Sequence, residues 1–211
     1  MLCNGRMGNI HTILMVGGFS QSDLLFQRIK NTFPHQNVIC PPDAVTAVVK
    51  GAVMYGNNPE LIRERKCPRT YGISTNVPFD ARVHPDRLKA FIDGEEKCID
   101  IFKPLVKIGE SLTVGKSIRY VKCHPSNAYD SEATIEIYAS TSENPTFTVE
   151  TGDTEDDNVR LVGTLCIPIP DVYRGKNRII DIKIEFGHTE IVVSAVEQET
   201  QIGRKATFKC N

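Results

Sequence analysis

Three absences narrow the reading of this chain before any motif is considered: it has no appreciable net charge, no cysteine framework and no long apolar run. Its 25 basic and 26 acidic residues leave a formal net charge of -1. The field of the whole molecule therefore draws in neither nucleic acid nor an anionic membrane, and a ligand must be recognised locally. The seven cysteines, Cys3, Cys40, Cys67, Cys98, Cys123, Cys166 and Cys210, are odd in number and form no Cys-x-x-Cys pair, which argues against a disulfide scaffold or a zinc knuckle. No apolar stretch has the length of a signal h-region or a membrane span. The single Asn-x-Thr sequence, Asn144-Pro145-Thr146, holds the proline that blocks glycosylation. The expectation is a reducing, cytoplasmic setting, with no nucleic-acid and no membrane partner.

What is present is 211 residues, 40% hydrophobic and 24% charged, ordinary for a globular chain and long enough for one large or two small domains. The hydrophobic period changes along it. From Thr12 to Tyr55 the pattern reads strand, helix, strand, helix. The apolar run to Val16 predicts a strand covered on both faces, and Gly17-Gly18 lets the backbone turn tightly and approach a ligand. Ser20 or Ser22 is placed to cap a helix whose stripe is Leu25, Ile29 and Phe33, widened by Leu24 and Phe26 and stopped by Pro34. Gln36 to Cys40 predicts a second strand. Pro42-Asp43 opens a second helix, with Asp43 as its cap before a ligand contact is considered. That helix is so apolar, from Ala44 to Val53, that burial is expected.

From about Thr70 the period becomes two. Predicted strands are 70–74, 117–122, 133–139, 146–150, 159–167, 179–186, 190–196 and 205–209, a number that implies an antiparallel β-sandwich. The strongest hairpin joins Asp181–Phe186 to Glu190–Ala195 through a turn at Gly187-His188. Residues 61–69, with Arg63, Arg65, Lys66 and Arg69, read as a connector. Residues 76–101 read as an insert in which Pro85 to Ile92 suits a turn or two of helix and Asp93-Gly94 a turn. The acidic run Glu150 to Asp157 lacks the ligand spacing of a calcium loop and reads as a solvated hairpin loop. The histidines lack metal-ligand spacing and a nucleophile partner, so no metal site is expected.

The motif Leu14–Ser20, the helix from Pro42-Asp43 to Val53 and the strands after Thr70, in this order, resemble the 70 kDa heat-shock protein family, and Lys50–Pro59, Arg65 and Thr70-Tyr71-Gly72 resemble more closely its divergent 12A and 12B branch. Leu14-Met15-Val16-Gly17-Gly18-Phe19-Ser20 resembles the adenosine-side motif of the family's actin-like ATPase domain. Pro42-Asp43 through Lys50-Gly51-Ala52-Val53 resembles the helix that ends its nucleotide-binding lobe. Thr70-Tyr71-Gly72-Ile73, Ala133–Tyr138, Leu161–Pro170 and Ile191–Ala195 resemble strands of its peptide-binding sandwich. The fold implied is α/β plus all-β: residues 1–60 the C-terminal part of an actin-like lobe, 61–69 a linker, and 70–211 a substrate-binding-like sandwich.

The resemblance implies a chaperone-like protein whose full-length parent binds ATP or ADP with Mg2+, and whose sandwich holds polypeptide clients. It places Gly17, Gly18, Ser20 and Asp43 on the adenosine side, and Ile118, Tyr120, Ile135 and Tyr138 in a peptide groove. The alternation of those four equally suits core positions. The family's phosphate loops, catalytic lysine and metal-positioning acids would lie upstream of Met1, so no catalytic residue and no ATPase activity is expected of this chain. Gln21 or Ser22 stands where typical members supply an adenine-stacking arginine, and no helical lid follows Asn211. The rival expectation is a non-enzymatic scaffold that binds a folded protein partner.

Overall fold

In a computed structural model, residues 10–58, 61–92, 94–149, 158–187 and 189–210 are described, and the chain divides into two units, Met1–Ile62 and Arg63–Asn211. Strands dominate and helices are few.

The first unit is a small β-α-β-α arrangement. Strand β1 (Thr12–Leu14) and helix α1 (Asp23–Thr32) lead to β2 (Asn37–Ile39), which pairs with β1 in parallel, Ile13 opposite Val38. Helix α2 (Ala44–Asn57) follows. The parallel pairing follows from the helical crossover, because a short turn cannot return a strand in the same direction. Two expectations of burial fail here. Strand β1 alternates exposed and half-buried residues instead of lying covered on both faces. In α2 only Ala44 is buried, while Val48, Val49, Val53 and Met54 are each 58–66% exposed. A two-stranded sheet of three-residue strands offers too little surface to cover so apolar a helix.

The second unit is built from two antiparallel sheets. Strands β3 (Glu64–Lys66), β4 (Thr70–Pro78), β5 (Lys89–Ile92), β6 (Glu95–Val106), β7 (Ser111–Thr113), β8 (Ser117–Cys123) and β9 (Glu132–Ser140) are followed by β10 (Arg160–Pro168), β11 (Ile180–Phe186), β12 (Glu190–Glu197) and β13 (Gly203–Lys209). One sheet runs β10-β9-β4-β6-β5 and the other β13-β12-β11-β8, with β3 and β7 as a separate pair. Alternation decides the packing. Ile180, Ile182, Ile184 and Phe186 of β11, and Ile191, Val193 and Ala195 of β12, meet Ile135, Ile137 and Ala139 of β9 in one core, while Asp181, Lys183 and Glu185 point the other way.

Several boundaries differ from those the pattern suggests. Residues 64–66 of the expected connector are strand β3, paired to β7 with Arg65 opposite Leu112. Most of the expected insert is sheet. Only Asp86–Leu88 is helical, and β5 then forms a hairpin with β6, Ile92 opposite Glu95. Of the expected strand 146–150, the described residues 146–149 form one bridge, Phe147 to Ile101. Its polar and proline-flanked sequence gives a ladder little to extend. The strongest predicted hairpin forms as written, Glu185 opposite Val192, with His188 of its turn outside the described residues. Glu150 to Asp157 also lies outside them. Among the described residues all cysteines are free, and no helix is long and apolar enough to cross a membrane.

Candidate functional site

In the first unit the adenosine-side residues cluster but satisfy one another. Gly17 has φ 93, a conformation open to glycine, and its N–H donates to the Ala44 carbonyl at 2.7 Å. Ser20 is 4% exposed. Its hydroxyl donates back to the Gly17 carbonyl at 2.6 Å, and its own carbonyl accepts the Cys40 thiol at 3.2 Å. Gly18 begins the short helical turn Gly18–Gln21 that holds Ser20. Of the two candidate caps, Ser22 takes the position, its Oγ accepting the Leu25 N–H at 3.4 Å. Asp43 stands at the N-cap of α2 without making a side-chain cap bond. Its carboxylate instead accepts Lys50 Nζ at 3.1 Å, one helical face along, and that bonded ammonium holds the carboxyl below its ordinary range.

An open cleft of ≈ 430 Å³ adjoins this turn, bounded by Ser20, Gln21, Ser22, Phe26, Pro41 and Pro42. Phe26 and the two prolines are apolar walls, and Gln21, Ser22 and the Asp23 carboxylate carry the polar groups.

In the second unit the four expected groove residues are not brought together. Ile118 and Tyr120 stand on β8, opposite Glu185 and Lys183 of β11, on the outward face of the four-stranded sheet, where Tyr120 is 75% exposed. Ile135 belongs to β9 in the other sheet and is buried in the core. Tyr138 is on the reverse face of β9, because residues an odd number apart in a strand face opposite ways. Its hydroxyl donates to Glu136 Oε2 at 2.7 Å, and burial, aided by that carboxylate, pushes the phenol up to about 12.

A larger opening lies elsewhere in the described residues. Strand β4 pairs with β9 only from Thr70 to Ile73, yet continues along β6 to Pro78, while β9 extends back along β10 to Glu132. Residues 74–78 of β4 and 132–136 of β9 therefore face each other as unpaired strand edges. The fork opens beside a β-bulge: between Thr75 and Val77 of β4, strand β6 carries an extra residue, and Asp100 there takes φ 59. Bulges bend and twist the strand pair that contains them. The fork and the end of β8 enclose an open cleft of ≈ 600 Å³ whose walls include Ser74, Asn76, Lys122, Asp130 and Thr134.

One wall of this cleft is held by a buried arginine. Arg178, fully buried, donates to the carbonyls of Ala128 at 2.8 Å, Asp130 at 2.5 Å, Ile169 at 2.5 Å and Gly175 at 2.7 Å. A guanidinium has five donors in a rigid fork, so one side chain pins the 128–130 loop to the strand end at Ile169. Asp130 in turn accepts the Asn127 N–H at 2.8 Å. Periodicity gave no sign of the cleft. The turn residues Pro125-Ser126-Asn127 after β8 were its one legible signal.

A smaller cavity of ≈ 240 Å³ sits beside β3, with Arg65, Cys67, Tyr71, Phe186 and Cys210 among its walls. Arg65 Nε is buried there without a hydrogen-bond partner, and the buried Tyr71 hydroxyl has only the weak Cys210 thiol beside it. Burial pushes the Cys67 thiol up to about 11.

No family model matches the chain. Curated relatives do. It is 29% identical over 200 residues to human heat shock 70 kDa protein 12A, covering 92% of this chain and 28% of that protein. It is 27% identical to human heat shock 70 kDa protein 12B over 218 aligned positions, covering 99% of this chain and 31% of the relative. Mouse heat shock 70 kDa protein 12A gives 28% identity over 92% of the chain. The chain thus spans about three tenths of the length of the relatives it matches. Because the matches run through both units, the chain as a whole is a divergent relative of the 12A and 12B heat shock 70 kDa proteins.

Proposed function

We propose that the second unit is a β-sandwich that holds extended polypeptide segments, within a chaperone-like protein of the 70 kDa heat-shock family. The observation that carries the reading is the fork, where β4 residues 74–78 and β9 residues 132–136 face an open cleft as unpaired edges. An extended segment entering there meets backbone donors and acceptors that its own backbone can complement, the physics by which sheet edges accept an added strand. Hydrogen exchange provides the test, with the full chain saturated by reduced, carboxymethylated lactalbumin as an unfolded client. Exchange should slow at residues 74–77 and 132–136. Unchanged rates at both edges, or slowing confined to other strands, would defeat the reading.

The first unit is the C-terminal part of an actin-like lobe in this reading. Its turn at Gly17, Gly18 and Ser20 supports α2 and borders a nucleoside cleft in the longer protein, with ATP or ADP and Mg2+ as the ligand there. The chain by itself is non-catalytic. Phosphoryl transfer needs free donors aimed at phosphates and free carboxylates to position a metal ion, whereas the Gly17 N–H and the Ser20 hydroxyl already donate within the protein and the Asp43 carboxylate already accepts from Lys50. Purified chain should not hydrolyse ATP above a buffer control. In the longer protein, Arg63 and Arg65 relay the nucleotide state to the sandwich; reversing both charges should abolish the nucleotide dependence of client binding while leaving the binding itself.

A second reading, a scaffold for a folded protein partner, is favoured by the exposed aromatics of the second unit, Tyr120 at 75%, Tyr129 at 87% and Tyr173 at 84%. Capture of one folded partner, lost on Tyr120→Ser and unaffected by an excess of unfolded client, would select it. The setting proposed in either case is cytoplasmic.

A further inference from the structure

We infer that the cleft between β4 and β9 takes extended segments rich in small polar and basic residues, and disfavours leucine-rich ones; this rests on the reading of that cleft as a polypeptide site. Its walls are the reason. Cys123 and Ala133 are the largest apolar side chains that line it, so a leucine entering buries little apolar surface against apolar surface. A methylene gains its transfer free energy on leaving water for apolar surroundings, and these walls offer few. The remaining walls are hydrogen-bonding groups, including Ser74, Thr75, Asn76, Ser126 and Thr134. An apolar segment lying over them would strip their water without replacing its bonds, a cost borne by each covered group. Polar side chains replace those bonds.

The sign of the charge follows from which ionic groups are already engaged. Lys122, the one cationic side chain on the walls apart from His124, leans toward Asp181 at 3.6 Å. His124 is tied through Nδ1 to the Lys176 carbonyl at 3.0 Å. On the acidic side, Asp130 spends part of its carboxylate on Asn127, and Glu132 makes no ion pair among the described residues. Two carboxylates therefore stand on the walls against one partly neutralised ammonium, and the buried Arg178 guanidinium behind Asp130 is held only by carbonyls; because that charge lies behind the wall, the groups facing the cleft favour Lys or Arg in the bound segment and oppose Asp or Glu.

The test is fluorescence anisotropy with three labelled peptides of equal length, alternating Thr with Lys, with Leu or with Glu, titrated with the full chain. The Thr/Lys peptide should bind tightest, by about ten-fold over Thr/Leu, with an affinity that falls as salt is added. Glu132→Gln and Asp130→Asn should each narrow that gap. Tightest binding of Thr/Leu would overturn the inference while leaving the polypeptide reading intact. A Thr/Lys preference untouched by both variants would also overturn it, since the basic selectivity would then arise elsewhere on the surface. Failure of all three peptides to bind would remove the polypeptide reading and the inference with it.

Discussion

The Phe208 ring of β13 packs against Gly163 in β10, so closely that a methyl group on Gly163 would overlap the ring. These strands belong to different sheets and are the outer strands of each. The missing side chain is what lets the two sheets close along that side. Gly163 also follows the irregularity in the β9–β10 ladder between Leu161 and Gly163, a place where glycine is common. Gly163→Ala should destabilise the second unit by about 1–3 kcal/mol through overpacking. Phe208→Leu in the same chain should recover part of it, and urea unfolding of the two variants measures both.

Arg178 should be among the least replaceable side chains here. Arg178→Met leaves four carbonyls without the donors that now bond them, at a cost of about 3 kcal/mol or more. Arg178→Lys should rescue little, because a single ammonium cannot reach the carbonyls a guanidinium spans. Thermal unfolding compares the stabilities. A drop in client affinity larger than the unfolded fraction explains would show that the pinned 128–130 loop shapes the cleft.

Tyr71 predicts the opposite. It is 1% exposed and its hydroxyl has only the Cys210 thiol, a weak partner, beside it, while its ring packs near Phe186 with centroids 6.2 Å apart. Tyr71→Phe keeps the ring and removes a poorly satisfied group. Stability should stay within about 0.5 kcal/mol or rise, whereas Tyr71→Ala should lose about 3–5 kcal/mol, both read by denaturant titration.

Two thiols set an alkaline limit. Desolvation raises the buried Cys67 and the half-buried Cys123 from an ordinary 9.0 to about 11. Their folded values exceed the unfolded ones, so the stability they contribute is complete below pH 9 and is lost as pH rises toward 11. Unfolding free energy should therefore decline over that window, and Cys67→Ala should make the decline shallower. At pH 8, a thiol reagent should modify exposed Cys166 well before Cys67.

Much of the second unit was legible as pattern. The alternation in Ile180–Phe186 and Glu190–Glu197 specifies two strands, their pairing and their inward face, because a strand has only two faces and one of them is apolar. The parallel pairing of β1 with β2 followed from the helical period between them. Where local sequence is polar or interrupted, the pattern fell silent. The long strand β6 contains Pro104 and the bulge at Asp100, which break its period, and β3 has three charged residues that pair only because β7 reaches them.

By itself, then, the sequence determined the strand-helix order of the first unit, the strands from Ser117 onward that alternate cleanly, the inward faces of β11 and β12, the turn at Gly17, and the family relationship that runs through both units. Those features are local or are carried by residue identity. Tertiary structure alone decided that Ile118 and Tyr120 belong to a different sheet from Ile135 and Tyr138, that α2 is left with its valines exposed, and that β4 and β9 part after Ile73 to open a polar cleft. Sheet membership and strand divergence depend on contacts between residues distant in the chain and on where a bulge bends a ladder, and a period of two carries no record of either.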